Sequence, residues 1–153
     1  TGPLSSTVTK DRLKGYKNAL KKNAIAINDT NITVGDYSIS SGTLAANDLF
    51  KNKTPPSAIF CMNDEMAIGA IQQAKKNGLN VPNDISIAGF DDISFAEFCD
   101  PPLTTISQPA EEFGTKAMSM LYDVINGNEP ENKNTYLPFE LIIRDSTGPN
   151  KRI

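Results

Sequence analysis

With 153 residues, 39% hydrophobic and 22% charged, the chain has the composition of a globular domain with a real core rather than of a disordered tail. Fifteen Lys and Arg against eighteen Asp and Glu leave a net charge of −3, and no basic run is denser than Lys14 to Lys22, which argues against direct nucleic-acid binding by this stretch. The absence of His excludes Ser-His-Asp or Cys-His catalysis and any His-ligated metal within the chain, so no catalytic residue, metal or cofactor is expected.

Thr1 to Ser6 reads as a frayed end. Thr9 is expected to cap a helix whose Leu13, Tyr16 and Leu20 recur at three and four residues, with Ala19 on the same face and lysines opposite. A strand is predicted at Ile32 to Gly35, then a loop at Asp36-Tyr37-Ser38. Ser41 and Gly42 open a second helix with Leu44, Ala45 and Leu49 inward, ending before Pro55-Pro56.

The most informative stretch is Pro56 to Asp92. An apolar run, Ser57 to Met62, stops at Asn63-Asp64, a helical pattern follows as far as Gly78, and a second apolar run, Ile85 to Phe90, ends on Asp91-Asp92. Strand, helix, strand at this spacing implies a right-handed crossover and a parallel sheet. Both strands then end on the edge where open sheets of this kind bind ligands. One amide and one carboxylate should meet there, facing hydroxyls or amines of something small. In the intervening helix Ala67, Ala70, Ile71 and Ala74 form the buried stripe, and Ile68 lies about 100° off it and calls for a second partner.

Beyond this unit, Ser94 to Cys99 exposes Phe95 and Phe98, Leu103 to Ser107 is extended, and Pro109 suits a first helical position. The helix runs to Asn126 and stops at Gly127, with Phe113, Ala117, Met120, Leu121 and Val124 on one side. Asn128 to Asn134 is a polar loop, Tyr136 to Ile143 a last strand, and Lys151-Arg152 a basic end. Cys61 and Cys99 have neither redox nor zinc spacing and read as reduced thiols of a cytoplasmic protein. No apolar run approaches the roughly twenty residues of a membrane span.

Four strings, IFCMNDEMAIGAI, GLNVPNDISIAGFDDI, PPLTTISQP and ELIIRDST, in this order and spacing resemble the effector-binding core of the LacI/GalR family of bacterial transcription regulators. FCDPPLTTISQP and ELIIRDST look most like a cytidine-repressor-like subgroup of it. The resemblance implies an α/β, type I periplasmic-binding-protein-like fold: a parallel sheet flanked by helices, in two subdomains that close on a small molecule. Residues 1–103 would then be a partial C-terminal subdomain lacking its first strand and helix. Residues 104–143 would be a crossover with a helix and strand of the N-terminal subdomain, and 144–153 the return crossover and end.

The resemblance also implies site roles. Polar effector contacts fall on Arg12 of an R-x-x-G motif, Asn63 of the ND pair and Asp91 of GFDD, with Tyr37 as the aromatic that packs on a sugar or base and Gln108 reaching the cleft from the crossover. Val8 stands where relatives often have Ser or Thr. Each role has a plain alternative: Asn63 as a helix cap, Arg12 as a surface charge, Tyr37 as a packed loop aromatic. Ile68 and Gln72 with Phe95, Phe98 and Cys99 are expected to form a two-fold dimer interface. Expected partners are a nucleoside, purine or sugar effector, a second copy, and DNA only through a helix-turn-helix absent from this chain. A periplasmic sugar-binding protein of a transport system shares the fold and is the alternative. Catalysis is not expected, because neighbouring Asp91 and Asp92 point to opposite faces and nothing nucleophilic converges on them.

Overall fold

The computed structural model describes residues 1–128 and 134–150; the loop read at Asn128 to Asn134 lies mostly, and Lys151-Arg152 wholly, outside the described residues. In chain order the elements are α1 (Thr7–Lys22), α2 (Ile39–Phe50), β1 (Ala58–Phe60), α3 (Asp64–Lys76), β2 (Ser86–Ala88), β3 (Thr105–Ser107), α4 (Ala110–Ile125) and β4 (Glu140–Ile142). Short 3₁₀ turns lie at Asp29–Asn31 and Ala96–Phe98.

β1 and β2 pair in parallel, Ile59 opposite Ile87, with α3 as the crossover between them. Asn63 starts α3 because its side-chain oxygen accepts the Met66 N–H at 3.1 Å, while Glu65 in the first turn complements the positive end of the helix. Gly78, at φ +76°, follows the C-cap Asn77 in the left-handed conformation that a glycine adopts without a Cβ clash. Ile85, Ile87 and Leu103 are fully buried between these layers. Each such side chain contributes about 1.5 to 3 kcal/mol through apolar burial.

The sheet continues through parallel bridges Ala88 to Thr104 and Asp91 to Ser107. β3 then pairs antiparallel with β4. Between these bodies the returning chain is clamped by Ser146, wholly buried: its N–H donates to the Pro102 carbonyl and its hydroxyl to the Ile87 carbonyl.

Several expectations are corrected. Ser6, not Thr9, caps α1; Thr9 is one turn further on and fully buried. α2 begins two residues earlier than read, capped by Ser38, and turns Gly42, Ala46 and Leu49 inward. Leu44 is 67% exposed, because the face of α2 that meets α3 is set by close backbone approach at Gly42 and not by the largest side chain. Ile32 to Gly35 joins no sheet strand. Instead the Thr1 amino group donates to the Thr33 carbonyl and the Gly35 N–H to the Thr1 carbonyl, a parallel ladder with the first residue. Between this segment and β1 lies a slot of about 100 Å³, lined by Ile32, Thr33, Ala58, Phe60 and Met62.

Ile68 is only 8% exposed, so most of its second partner is its own chain. α3 is covered by α2 on one side and by the sheet and the 95–99 segment on others, which buries residues around most of its circumference. By contrast α4 has no buried residue, and Phe113, Leu121 and Val124 stay about half exposed. The last strand is shorter than read: only Glu140–Ile142 pairs, and Tyr136 and Phe139 stand in solvent.

Candidate functional site

The five residues picked out as effector contacts come from five different places in the chain and meet at one edge. Arg12 extends from α1, Tyr37 from the turn before α2, Asn63 from the end of β1, Asp91 from beyond β2, and Gln108 from the end of β3. Because the strands run parallel, their C-terminal ends deliver Asn63, Asp91 and Gln108 to the same side of the sheet, where Arg12 and Tyr37 meet them.

Asp91 is the hub. One carboxylate oxygen, Oδ1, accepts from Arg12 Nη2 at 3.1 Å and from Gln108 Nε2 at 2.8 Å. Its second oxygen has no partner among the described residues, and the side chain keeps 35% of its surface exposed, so an acceptor faces the solvent. The other arm of the Arg12 guanidinium donates to the Met62 carbonyl, and the plane lies 3.7 Å from the centre of the Phe90 ring. A fork held on two acceptors and an aromatic face is a fixed donor array, not a solvated surface charge. Arg12 is accordingly only 16% exposed.

Asn63 and Tyr37 complete the rim differently. Both ends of the Asn63 amide are engaged, Oδ1 as the α3 cap and Nδ2 donating to the Tyr37 carbonyl at 2.8 Å. The Tyr37 hydroxyl shares a hydrogen bond of 2.6 Å with Thr9, and the ring lies directly against Gly2, where an added Cβ would come within 2.2 Å of it. Both plain alternatives, cap and packed aromatic, are therefore realised in this structure.

Backbone strain concentrates here too: Tyr37, Asp91 and Asp92 have φ of 73°, 104° and 53°. Such conformations cost about 1 to 3 kcal/mol each outside glycine and persist only where surroundings impose them. Asp92 does not share the site; it turns away to pair with Arg144 at 2.9 Å, tying this turn to the segment after β4. Sequence reasoning missed Phe90, the Met62 carbonyl and Thr9. The first was readable as the aromatic before the aspartate pair, but no sequence signal marks a backbone carbonyl as an arginine acceptor.

The expected dimer residues also come together. Ile68, Gln72, Phe95, Phe98 and Cys99 line one surface groove, with Phe95 and Phe98 57% and 70% exposed. Among the described residues no helix is long and apolar enough to cross a membrane.

Residues 2–147 match the family model described as periplasmic binding protein-like domain. The chain is 44% identical over 146 residues to the HTH-type transcriptional repressor CytR of Escherichia coli strain K12, covering 95% of this chain but 43% of the relative. It thus spans less than half the length of that curated relative. Among solved structures, a transcriptional regulator CelR–cellobiose complex superposes with a TM-score of 0.91 at 31% identity, over 95% of this chain and 45% of that one. A dimeric Lac repressor with a C-terminal deletion does so with a TM-score of 0.87 at 34% identity, over 95% and 53%.

Proposed function

The chain belongs to the periplasmic binding protein-like domain family, among the effector-binding domains of LacI/GalR regulators, and from that premise we propose that it is one jaw of an effector site in a DNA-binding repressor. The observation that carries the reading is the Asp91 hub: a partly exposed carboxylate held by Arg12 and Gln108 with one acceptor oxygen open. A charged acceptor beside a fixed guanidinium fork suits vicinal hydroxyls, which both donate and accept. The effector class that follows is a nucleoside or a sugar, the latter in keeping with the cellobiose complex of the CelR regulator. The relatives being repressors favours this over a transport binding protein, and with it a cytoplasmic place of action and no catalytic role.

The same reading divides the chain. Residues 1–103 are most of one subdomain, 104–143 cross to the second and contribute α4 and β4, and 144–153 return. The exposed apolar face of α4 and the slot beside β1 support it, since both are surfaces that further chain would cover. DNA contact belongs to a helix-turn-helix outside this chain. The groove of Ile68, Gln72, Phe95, Phe98 and Cys99 is the self-complementary patch of a two-fold pair.

The test is a thermal-shift screen of nucleosides, purines and sugars on the full-length protein, followed by calorimetry of the hit on Asp91→Ala. Losing one partner of a charged hydrogen bond costs about 1.5 to 3 kcal/mol, so affinity should fall roughly ten- to a hundredfold. Operator binding should survive while its response to the effector is blunted. Equal affinities for wild type and variant would remove Asp91 from the site and the reading with it.

A further inference from the structure

Asp64 is a fully buried carboxylate that the site described above does not use. It is the first residue of α3, yet the helix is capped by Asn63, and the Asp64 side chain is directed elsewhere. Its Oδ1 accepts from the Thr105 hydroxyl at 2.5 Å and its Oδ2 from the Ile93 N–H at 2.9 Å. Thr105 in turn accepts from the Asp92 N–H at 3.4 Å. The carboxylate reaches these partners across Gly89, where an added Cβ would come within 2.2 Å of Oδ1. Gly89 is needed there for space.

These contacts bracket the strained turn. Asp91 and Asp92 carry the left-handed backbone, and the residues gripped by the Asp64–Thr105 pair are Asp92 and Ile93, immediately after the carboxylate that meets Arg12. On the other side the Asp91 N–H donates to the Ile106 carbonyl at 2.9 Å, so β3 holds the turn by its backbone and by its Thr105 hydroxyl. Burial raises the Asp64 carboxyl above the ordinary carboxylate range, while the Thr105 and Ile93 hydrogen bonds favour its charged form. A wholly buried carboxyl group whose hydrogen bonds go to residues outside its own helix needs a task.

We infer that Asp64 is a positioning residue for the effector site: reaching past Gly89, it holds residues 91–93 in the turn that aims Asp91 at Arg12 and locks that turn to the crossover strand β3. The consequence rests on reading Asp91 as an effector contact. Displacement of β3 against α3 pulls on Thr105 and is felt at Asp91, so effector occupancy and crossover geometry are joined through one buried group.

The test needs no effector. In NMR spectra of the 153-residue chain the Arg12 guanidinium protons should carry a ring-current shift from Phe90, and the couplings of Asp91 and Asp92 should report their positive φ. Asp64→Asn and Thr105→Val should lose both signatures and speed exchange of the Ile93 amide by roughly tenfold or more, while the core amides of Cys61 and Ile87 stay protected. Thr105→Ser, which keeps the hydroxyl, should match wild type. Folded Asp64→Asn and Thr105→Val proteins with wild-type Arg12, Asp91 and Ile93 signals overturn the proposal. If Asp64→Asn does not fold, Thr105→Val decides alone, and failure of both to fold assigns Asp64 a purely structural role. Loss of the wild-type signatures in the variants, together with a full-length protein that binds no nucleoside or sugar, would leave the positioning role standing and sink the effector reading instead.

Discussion

The contact between α2 and α3 gives a sharp test, because two alanine substitutions with the same intrinsic preference should have opposite signs. Replacing a helical glycine by alanine gains roughly 0.5 to 1 kcal/mol of helix propensity. At Gly69 that gain is opposed by space: the new Cβ would stand 2.1 Å from the Ile39 carbonyl oxygen and 2.8 Å from the Thr43 nitrogen, both backbone atoms of α2. Neither can swing away as a side chain would. α2 has to retreat by roughly 1 Å, which forfeits a quarter to a half of each dispersion contact along the seam of Ala46, Leu49, Met66 and Ala70. Overpacking of this kind costs about 1 to 3 kcal/mol, and backbone contact places it at the upper end. The net loss is about 2 kcal/mol, or roughly 4 to 8 °C in Tm for a chain of this size. Gly15→Ala is the control: in mid-α1 its Cβ meets nothing within 4 Å, so the propensity gain should appear undiminished. Thermal and urea unfolding followed by helix ellipticity measure both. A Gly69→Ala protein as stable as wild type, or a Gly15→Ala protein that drops with it, would refute the reasoning.

Three further outcomes follow from the site and its surroundings. Burial pushes the Cys61 thiol up to about 12, so at pH 8 it should react with a disulfide reagent about a thousandfold more slowly than a free thiol; equal rates in native and unfolded protein would contradict its burial. Hydrogen bonds from the Ser38 hydroxyl and N–H, with a smaller one from Ser41, lower the Asp36 carboxyl to about 2. Its folded-state value being below the unfolded one, any stability it adds is present above about 4 and lost as pH falls through about 2, and carboxyl NMR should show Ser38→Ala moving the midpoint back up. For the dimer patch, Phe98→Glu is the informative change, since Ile68 is largely covered by its own chain and its substitution would confuse folding with association. Sedimentation of the full-length protein should show the Phe98→Glu variant dissociating at concentrations where wild type stays paired.

Much of this architecture is written in short-range pattern. The two apolar runs ending on Asn63 and Asp91, the 3.6-residue stripe between them and Gly78 after it specify strand, helix and strand through side-chain periodicity and one turn conformation, all of which act within a dozen residues. Parallel pairing then brings the strand ends to one edge, so the placing of Asn63 and Asp91 at that edge was legible from local signals alone, whereas the engagement of both ends of the Asn63 amide by its own chain was not. Arg12 and Gln108 were legible through their motifs, and the structure supplies their common partner. What the sequence could not determine is which faces meet. Leu44 points to solvent and Ala46 to the core because α2 approaches α3 at Gly42 and Gly69, and a glycine contact has no apolar signature. Ile32 to Gly35 has strand composition, yet it pairs with Thr1 rather than with β1, since a ladder depends on the neighbour available and not on propensity. Asp64 looks in sequence like a second cap beside Asn63. Only the tertiary structure, by bringing Thr105 and Ile93 within reach from 41 and 29 residues away, makes it a buried carboxylate with partners. Periodicity acts within an element, whereas burial, strain and charge pairing belong to the contacts between elements.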